Sequence, residues 1–129
     1  MNKNSTTIKH HLRFPKSERL RKKKEFELVL KKGITVASNN FTLKFLHGPR
    51  VLFGVLVSHT TDPKAVVRNR IKRRLREIYR TNKTHFSFKG SYLVIPKSQA
   101  KELDYHSMKE EFLSLVRALN KILTDENTN

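Results

Sequence analysis

The chain contains no cysteine, which excludes disulfides, thiolate nucleophiles and cysteine-based zinc sites. It has no tryptophan, and only four glycines and four prolines among 129 residues. The glycines are scattered, so they form no glycine-rich phosphate loop. No apolar run approaches the roughly 20 residues that a membrane span needs. The N-terminus carries no apolar stretch of the kind that marks a secretory signal. Acidic residues are scarce as well: 11 Asp and Glu stand against 28 Lys and Arg, a formal charge of +17. The length suits one domain that can bury a core without staples.

A field of this sign and size attracts polyanions, because each neutralised phosphate releases condensed counterions. Nucleic acid is therefore the expected partner. No long basic amphipathic helix with a broad apolar face points to a membrane. The charge is also uneven. Residues 1–32 hold eleven basic and three acidic side chains, and residues 64–80 hold eight basic residues and one Glu. Residues 33–63 between these blocks are nearly neutral, and residues 101–129 are mildly acidic. Such a distribution describes a fold with basic surfaces rather than a uniformly sticky chain.

Residues 1–17 are polar, basic and free of acid, and read as a mobile tail. A basic, acid-poor start also fits an organelle transit peptide. Leu12 and Phe14 are its candidates for packing onto the domain. The first helix is expected from Ser17 or Leu20 to Lys32, with Phe26, Val29 and Leu30 on one face and Gly33 as the stop. Residues 41–46 alternate as a half-buried strand does. Residues 51–57 are nearly continuous in apolar, β-prone residues and read as a central strand. The four-residue connection between them suggests an antiparallel hairpin. Asp62 and Pro63 read as the N-cap and first position of a helix running to about Arg80. Residues 91–95 form another buried strand. A last helix opens at Asp104 or at Ser107, where Glu110 could complete a capping box, and residues 124–129 read as a frayed, disordered end. The order α-β-β-α-β-α describes a small single-domain α+β sandwich, with helices packed on a central, mainly antiparallel sheet.

The helix from Lys64 to Arg80 carries most of the information. At about 100° per residue, Val67, Ile71, Leu75 and Ile78 fall within an arc of roughly 80°. Asn69, Lys72, Arg73, Arg76 and Arg80 fall within roughly 100° on the opposite side, with Arg70 and Arg74 at the margin. Like charges at i, i+3 and i+4 repel, and a single Glu77 offers little relief. A solvated face is the ordinary reading of a charge run. Here the imbalance and the preference for Arg favour phosphate contact, because guanidinium matches phosphate as a fork and stacks on bases. Asn69 in the row could read a base edge or a 2′-hydroxyl, or be a plain surface amide.

Arg68-Asn69-Arg70, followed by Ile71-Lys72-Arg73 and Leu75-Arg76-Glu77 and preceded by Ala65-Val66-Val67, resembles the RNR signature of the bacterial ribonuclease P protein component. The resemblance extends over about residues 18–123. It takes in residues 20–26 with Val29 and Gly33 as the first helix, Phe41-Thr42-Leu43 as a strand, and residues 54–58 as the strand before the RNR helix. It also takes in residues 92–95 as the strand after that helix, and the terminal helix. It implies a left-handed βαβ crossover around the RNR helix. It also implies an RNA-based endoribonuclease that removes the 5′ leader of precursor tRNA and leaves a mature 5′ end. In such an enzyme the RNA subunit holds the catalytic Mg²⁺, and this chain would supply no catalytic residue and hold no tight metal. The partners so implied are the ribonuclease P RNA and precursor tRNA, with no membrane and no obligate protein partner, in the cytoplasm.

Carried over by position, Arg68, Asn69, Arg70, Lys72, Arg73 and Arg76 would face the RNA subunit. Phe26, Leu30, Lys44 and Lys97 would line the contact with the leader. An aromatic in a basic groove can stack an unpaired base, although an i, i+4 apolar pair such as Phe26 and Leu30 is also an ordinary core pair. Two departures reduce the charge expected near the leader. His59 and Thr60 follow Ser58 where basic residues are usual, and Leu52 stands where many members have Arg; Lys64 restores one charge.

Two other classes compete. A non-catalytic structural RNA-binding protein of ribosomal type shares the basic helix but not the RNR context. A self-sufficient ribonuclease needs a catalytic constellation, and only His47 and His59, bracketing the expected hairpin, suggest one. None of the six His is spaced for a zinc helix. Glu102, Asp104, Glu110 and Glu111 read as offsets to nearby lysines.

Overall fold

The computed structural model describes residues 13–128; most of the expected N-terminal tail, residues 1–12, lies outside the described residues. A 3-10 turn over Lys16–Glu18 leads into helix α1, Lys23–Lys32. Strands β1 (Ile34–Ala37), β2 (Phe41–His47) and β3 (Leu52–Val55) follow, then helix α2, Ala65–Thr81. Strand β4 (Gly90–Pro96) and helix α3 (Tyr105–Thr128) complete the order. The sheet order is β1-β2-β4-β3. β2 pairs antiparallel with β1 and with β4, whereas β3 runs parallel to β4. The sheet is thus mixed and mainly antiparallel, and α2 is the helix of a β3-α2-β4 crossover.

Alternation along β2 divides the molecule into two layers. Phe41, Leu43 and Phe45 join the main core with Phe53, Tyr92, Val94, Ile71, Leu75 and the apolar stripe of α3. On the other face, Leu20, Val29, Leu52 and Leu93 form a smaller core beneath α1, with Phe26, Leu46 and Ile95 at its margin. Each large apolar side chain so buried contributes about 1.5–3 kcal/mol.

Several expectations are corrected by the long-range pairing. Residues 41–46 and 51–57 do not form a hairpin, because β4 lies between β2 and β3. The apolar run of residues 51–57 is not a central strand but includes the edge strand β3. It reads as central because its open edge is covered: the Leu20 N–H donates to the Phe53 carbonyl at 3.0 Å, and Arg19 bridges to Phe53. Residues 19–22 are accordingly extended, and α1 starts at Lys23 rather than at Ser17 or Leu20. Leu20 sits directly on Gly54, where a Cβ would come within 2.9 Å of the Leu20 Cβ.

Strand β1 was not expected; it is short, and only its register with β2 defines it. Gly33 ends α1 in extended conformation (φ −70°, ψ 147°), so it serves space and not handedness. A Cβ there would lie 2.5 Å from the Val29 carbonyl. Phe14 packs edge-on against Tyr79 at 5.2 Å, so the domain begins before residue 18. At the other end, α3 runs on through residues 124–128. Asp104 caps α3, accepting the Ser107 N–H at 2.7 Å, and the Ser107–Glu110 capping box does not form.

Glu111 of α3 ties the β1–β2 turn to the helix layer. Its carboxylate accepts the Ser38 hydroxyl and, at 2.7 Å, both the backbone and side-chain N–H groups of Asn40. Burial alone would raise the Glu111 pKa, but these donors outweigh it and hold it below the ordinary 4.5. The fold therefore favours the ionised form. That contribution is complete above about pH 4.5 and is lost as pH falls through the lowered folded value. Thermal unfolding by circular dichroism is expected to show a midpoint that declines below pH 4.5, with a shallower decline in Glu111→Gln. Gly90 has a φ of +155°, and a Cβ there would lie 2.4 Å from the Leu46 carbonyl oxygen. Gly90→Ala is expected to cost roughly 2–5 kcal/mol in urea unfolding, from strain and overpacking together.

Candidate nucleic-acid interface

Helix α2 is anchored along one side by Ile71, Leu75, Ile78 and Tyr79, each no more than 2% exposed. The Tyr79 ring stacks on Phe53, with centroids 4.6 Å apart and planes 4° apart. Its hydroxyl donates to Glu18 at 2.7 Å. Burial first, and this contact second, push the Tyr79 phenol far above its ordinary pKa, so it is a neutral donor.

The helix starts at Ala65, two residues later than an Asp62 cap requires. Asp62 acts from the preceding loop instead. It accepts the Lys64 N–H at 2.8 Å and pairs with Lys101 at 3.0 Å. These partners, the Lys64 N–H foremost, hold its carboxyl below the usual range. Arg68 completes the clasp, donating to the Asp62 and Pro63 carbonyls at 2.9 and 2.8 Å. The first Arg of the signature is thus turned back onto the loop.

The opposite side of α2 is open. Asn69, Arg73 and Arg76 are exposed, and Arg70 and Lys72 are half-buried. Among the described residues, the side chains of Asn69, Lys72, Arg73 and Arg76 have no hydrogen bond or ion pair. The Arg70 Nε is buried without a partner. Two cations leave the row: Arg74 donates to the Leu103 carbonyl at 3.2 Å, and Arg80 pairs with Glu77 at 2.6 Å. The Arg80 hydrogen bond holds the Glu77 pKa down. Helical spacing alone places Arg80 with the row; its pairing with Glu77 takes it out.

The second expected set is brought together only in part. Phe26 and Leu30 lie about 40° apart on α1, facing the same side; Phe26 is half-buried and Leu30 is 38% exposed. Lys44 stands on the α1 side of the sheet and donates to the Thr35 hydroxyl at 2.8 Å. Lys97 is separate: it lies four residues beyond Leu93, the partner of Lys44, or about 13 Å along the strand. It donates to the Ser38 carbonyl at 2.8 Å.

A cavity of about 90 Å³ joins Phe26 to Arg19, Arg21 and Arg76, over Gly54 and Val55. The two expected surfaces therefore meet. Sequence reading missed Arg19 and Arg21; their signal was two cations flanking one buried leucine. Arg19 is held in place by two hydrogen bonds to the Phe14 carbonyl, at 3.1 and 2.8 Å.

His47 and His59 do not converge. His47 lies at the Gly90 end of β4. His59 follows Leu56, which donates to Val94 near the opposite end. Among the described residues no group of three His, Asp or Glu comes together as metal ligands, and no helix is long and apolar enough to cross a membrane.

Neighbouring arginines of α2 are expected to separate in urea unfolding. Arg74→Ala, which frees the Leu103 carbonyl, should cost roughly 1 kcal/mol. Arg73→Ala should change stability by less than about 0.5 kcal/mol.

A family model described as Ribonuclease P matches residues 14–120. The ribonuclease P protein component of Petrotoga mobilis is 40% identical over 114 residues, spanning 82% of this chain and 94% of that one. That of Finegoldia magna is 38% identical over 110 residues, spanning 82% and 95%. Among solved structures, the RNase P protein from Thermotoga maritima superposes with a TM-score of 0.70 at 32% identity, covering 78% of this chain and 96% of its own. The Staphylococcus aureus RNase P protein gives 0.73 at 26% identity, covering 81% and 96%. The matched span opens at Phe14, where the packing against Tyr79 begins, and contains the whole of the arginine-rich helix; the chain belongs to the ribonuclease P protein component family.

Proposed function

We propose that this chain is the protein component of a ribonuclease P that removes the 5′ leader from precursor tRNA. In this reading it binds the RNA subunit through the open side of α2 and the leader through the groove beside Phe26. The observation that carries it is the row Asn69, Lys72, Arg73 and Arg76, unpartnered and facing away from a firmly buried stripe. Unpaired guanidinium groups fixed on a rigid helix are suited to several phosphates at once. Mg²⁺ would be held mainly by the RNA and the cleavage carried out there. Among the described residues no three His, Asp or Glu come together as metal ligands, and in this reading the part of the protein is binding and orientation.

Precursor-tRNA cleavage at low Mg²⁺ tests this reading, comparing the protein alone, a bacterial ribonuclease P RNA alone, and both together. Cleavage at the mature 5′ end is expected only from the mixture. Cleavage by the pure protein would return the chemistry to its side chains. Tight RNA binding without stimulation by any cognate RNA would favour a structural, ribosomal-type role.

Assembly should fall with salt at a log–log slope of roughly −5 or steeper, and a flat slope would refute phosphate contact by the row. Arg73→Ala should weaken assembly and make that slope shallower by about 1. Phe26→Ala should chiefly weaken leader binding, by the roughly 1–3 kcal/mol of one stacked base. Arg76→Ala should affect both, because Arg76 and Phe26 share one cavity.

A further inference from the structure

Arg50, in the loop between β2 and β3, lies between two cavities that the surfaces above do not use. One, of about 330 Å³, is lined by Ser17, Glu18, Val51, Tyr79, Lys83 and Phe86 together with Arg50. The other, of about 260 Å³, lies on the α1 side of the sheet. It is lined by Arg50 with Leu28, Leu46, Pro49 and Leu52, and by Glu25, His47 and Ser91. Arg50 is the one residue common to both linings. It is exposed and, among the described residues, makes no hydrogen bond or ion pair.

We propose that this end of the sheet binds an unpaired dinucleotide step of single-stranded RNA, with one base in each cavity and the linking phosphate on Arg50. The inference rests on the reading that the chain binds RNA. Three features select the occupant. Each cavity lies near the small end of sites that enclose whole small molecules, so each suits a base rather than a helix or strand. Each pairs an apolar wall with a carboxylate, Glu18 or Glu25, that can accept an N–H from a base edge. The guanidinium between them matches a phosphodiester in charge and shape. Glu18 is already fixed by the Tyr79 hydroxyl and by Lys83 at 3.0 Å, so it is a pre-set acceptor. Leu28, 46% exposed on α1, gains a use as a wall of the second cavity. It faces away from Phe26, on the other side of Val29, so this contact is distinct from the groove beside Phe26.

Nuclear magnetic resonance titration of the full chain with the dinucleoside monophosphate UpG, and separately with inorganic phosphate, tests the site. UpG is expected to shift the amides of Leu28, Gly48, Arg50 and Val51, and phosphate alone to move only Arg50 and its neighbours. Arg50→Gln should weaken UpG at least fivefold, whereas Arg117→Gln, a matched loss of one exposed cation on α3, should leave it within twofold. Leu28→Glu should abolish the shifts on the α1 side and keep those at Val51. Identical shifts with phosphate and UpG, shifts confined to Phe26 and the α2 row, or equal effects of the two Arg substitutions would overturn the proposal.

Reconstitution with ribonuclease P RNA then identifies the source of the strand. A raised KM that grows with leader length assigns it to the substrate, and a weakened assembly constant assigns it to the RNA subunit. If Arg50→Gln changes neither while the unaltered protein stimulates cleavage, this site is refuted and the family role stands. If the unaltered protein fails to stimulate, the reading on which the site rests has failed.

Discussion

Phe53 connects what would otherwise be separate parts. Its ring lies flat on Tyr79 and meets Phe14, Phe86 and Phe112 within about 6 Å. Its carbonyl accepts the N–H of Leu20, and its strand is parallel to β4. Through one residue the N-terminal segment, the edge of the sheet and the last turn of α2 are fixed relative to one another. A helix carrying a row of like charges gains nothing from that row in isolation. It stays in place because its other side is locked into aromatic packing, which interdigitates at crystal-like density and leaves little room for rotation about the helix axis. The direction in which Arg73 and Arg76 point is therefore set by contacts on the far side of the helix.

The acidic residues follow a pattern that complements this. Asp62, Glu111 and Asp104 each accept backbone N–H groups at the ends of elements. Glu18 joins the N-terminal turn to the end of α2, through Tyr79 and Lys83. Glu77 takes Arg80, the last cation of the helix. These five carboxylates hold turns and termini, and none of them neutralises the central part of the row. A surface pair on that row would add little stability, while it would reduce the charge offered to a polyanion.

The parts of the molecule legible in its sequence are those governed by short-range periodicity. Helical spacing placed Ile71, Leu75 and Ile78 inside and Arg73 and Arg76 outside. Strand alternation placed Phe41, Leu43 and Phe45 on one face. Pairing across the sheet was not legible. A four-residue connection is compatible with a hairpin, and nothing local in residues 47–51 announces that β4 enters between β2 and β3. Strand β3 misled for a related reason: its edge is covered by a segment more than thirty residues away, so its composition resembles that of an interior strand. The same limit applied to the candidate site. Spacing along α2 could not show that Arg68 turns back to the Asp62 carbonyl or that Arg80 is taken by Glu77, because both outcomes depend on which partners lie within reach. The meeting of Arg19, Arg21 and Arg76 around Phe26 depends on three segments at once.

The row on α2 also bears on the energetics of the fold. Its cations are held close together with no compensating acid, and the chain as a whole carries +17, so self-repulsion opposes the compact state. A polyanion bound to the folded chain removes that repulsion. It also adds its own binding free energy to the folded state, by an amount that grows with the logarithm of its concentration over Kd. The aromatic packing around Phe53 then has two tasks of different kinds. It must outweigh the repulsion when no partner is present, and it keeps the guanidinium groups in register, so that in the proposed role a phosphate backbone would meet them already arranged. Rigidity obtained from the core lowers the ordering cost of association, and the flat packing of Tyr79 on Phe53 supplies it to the helix that carries the row.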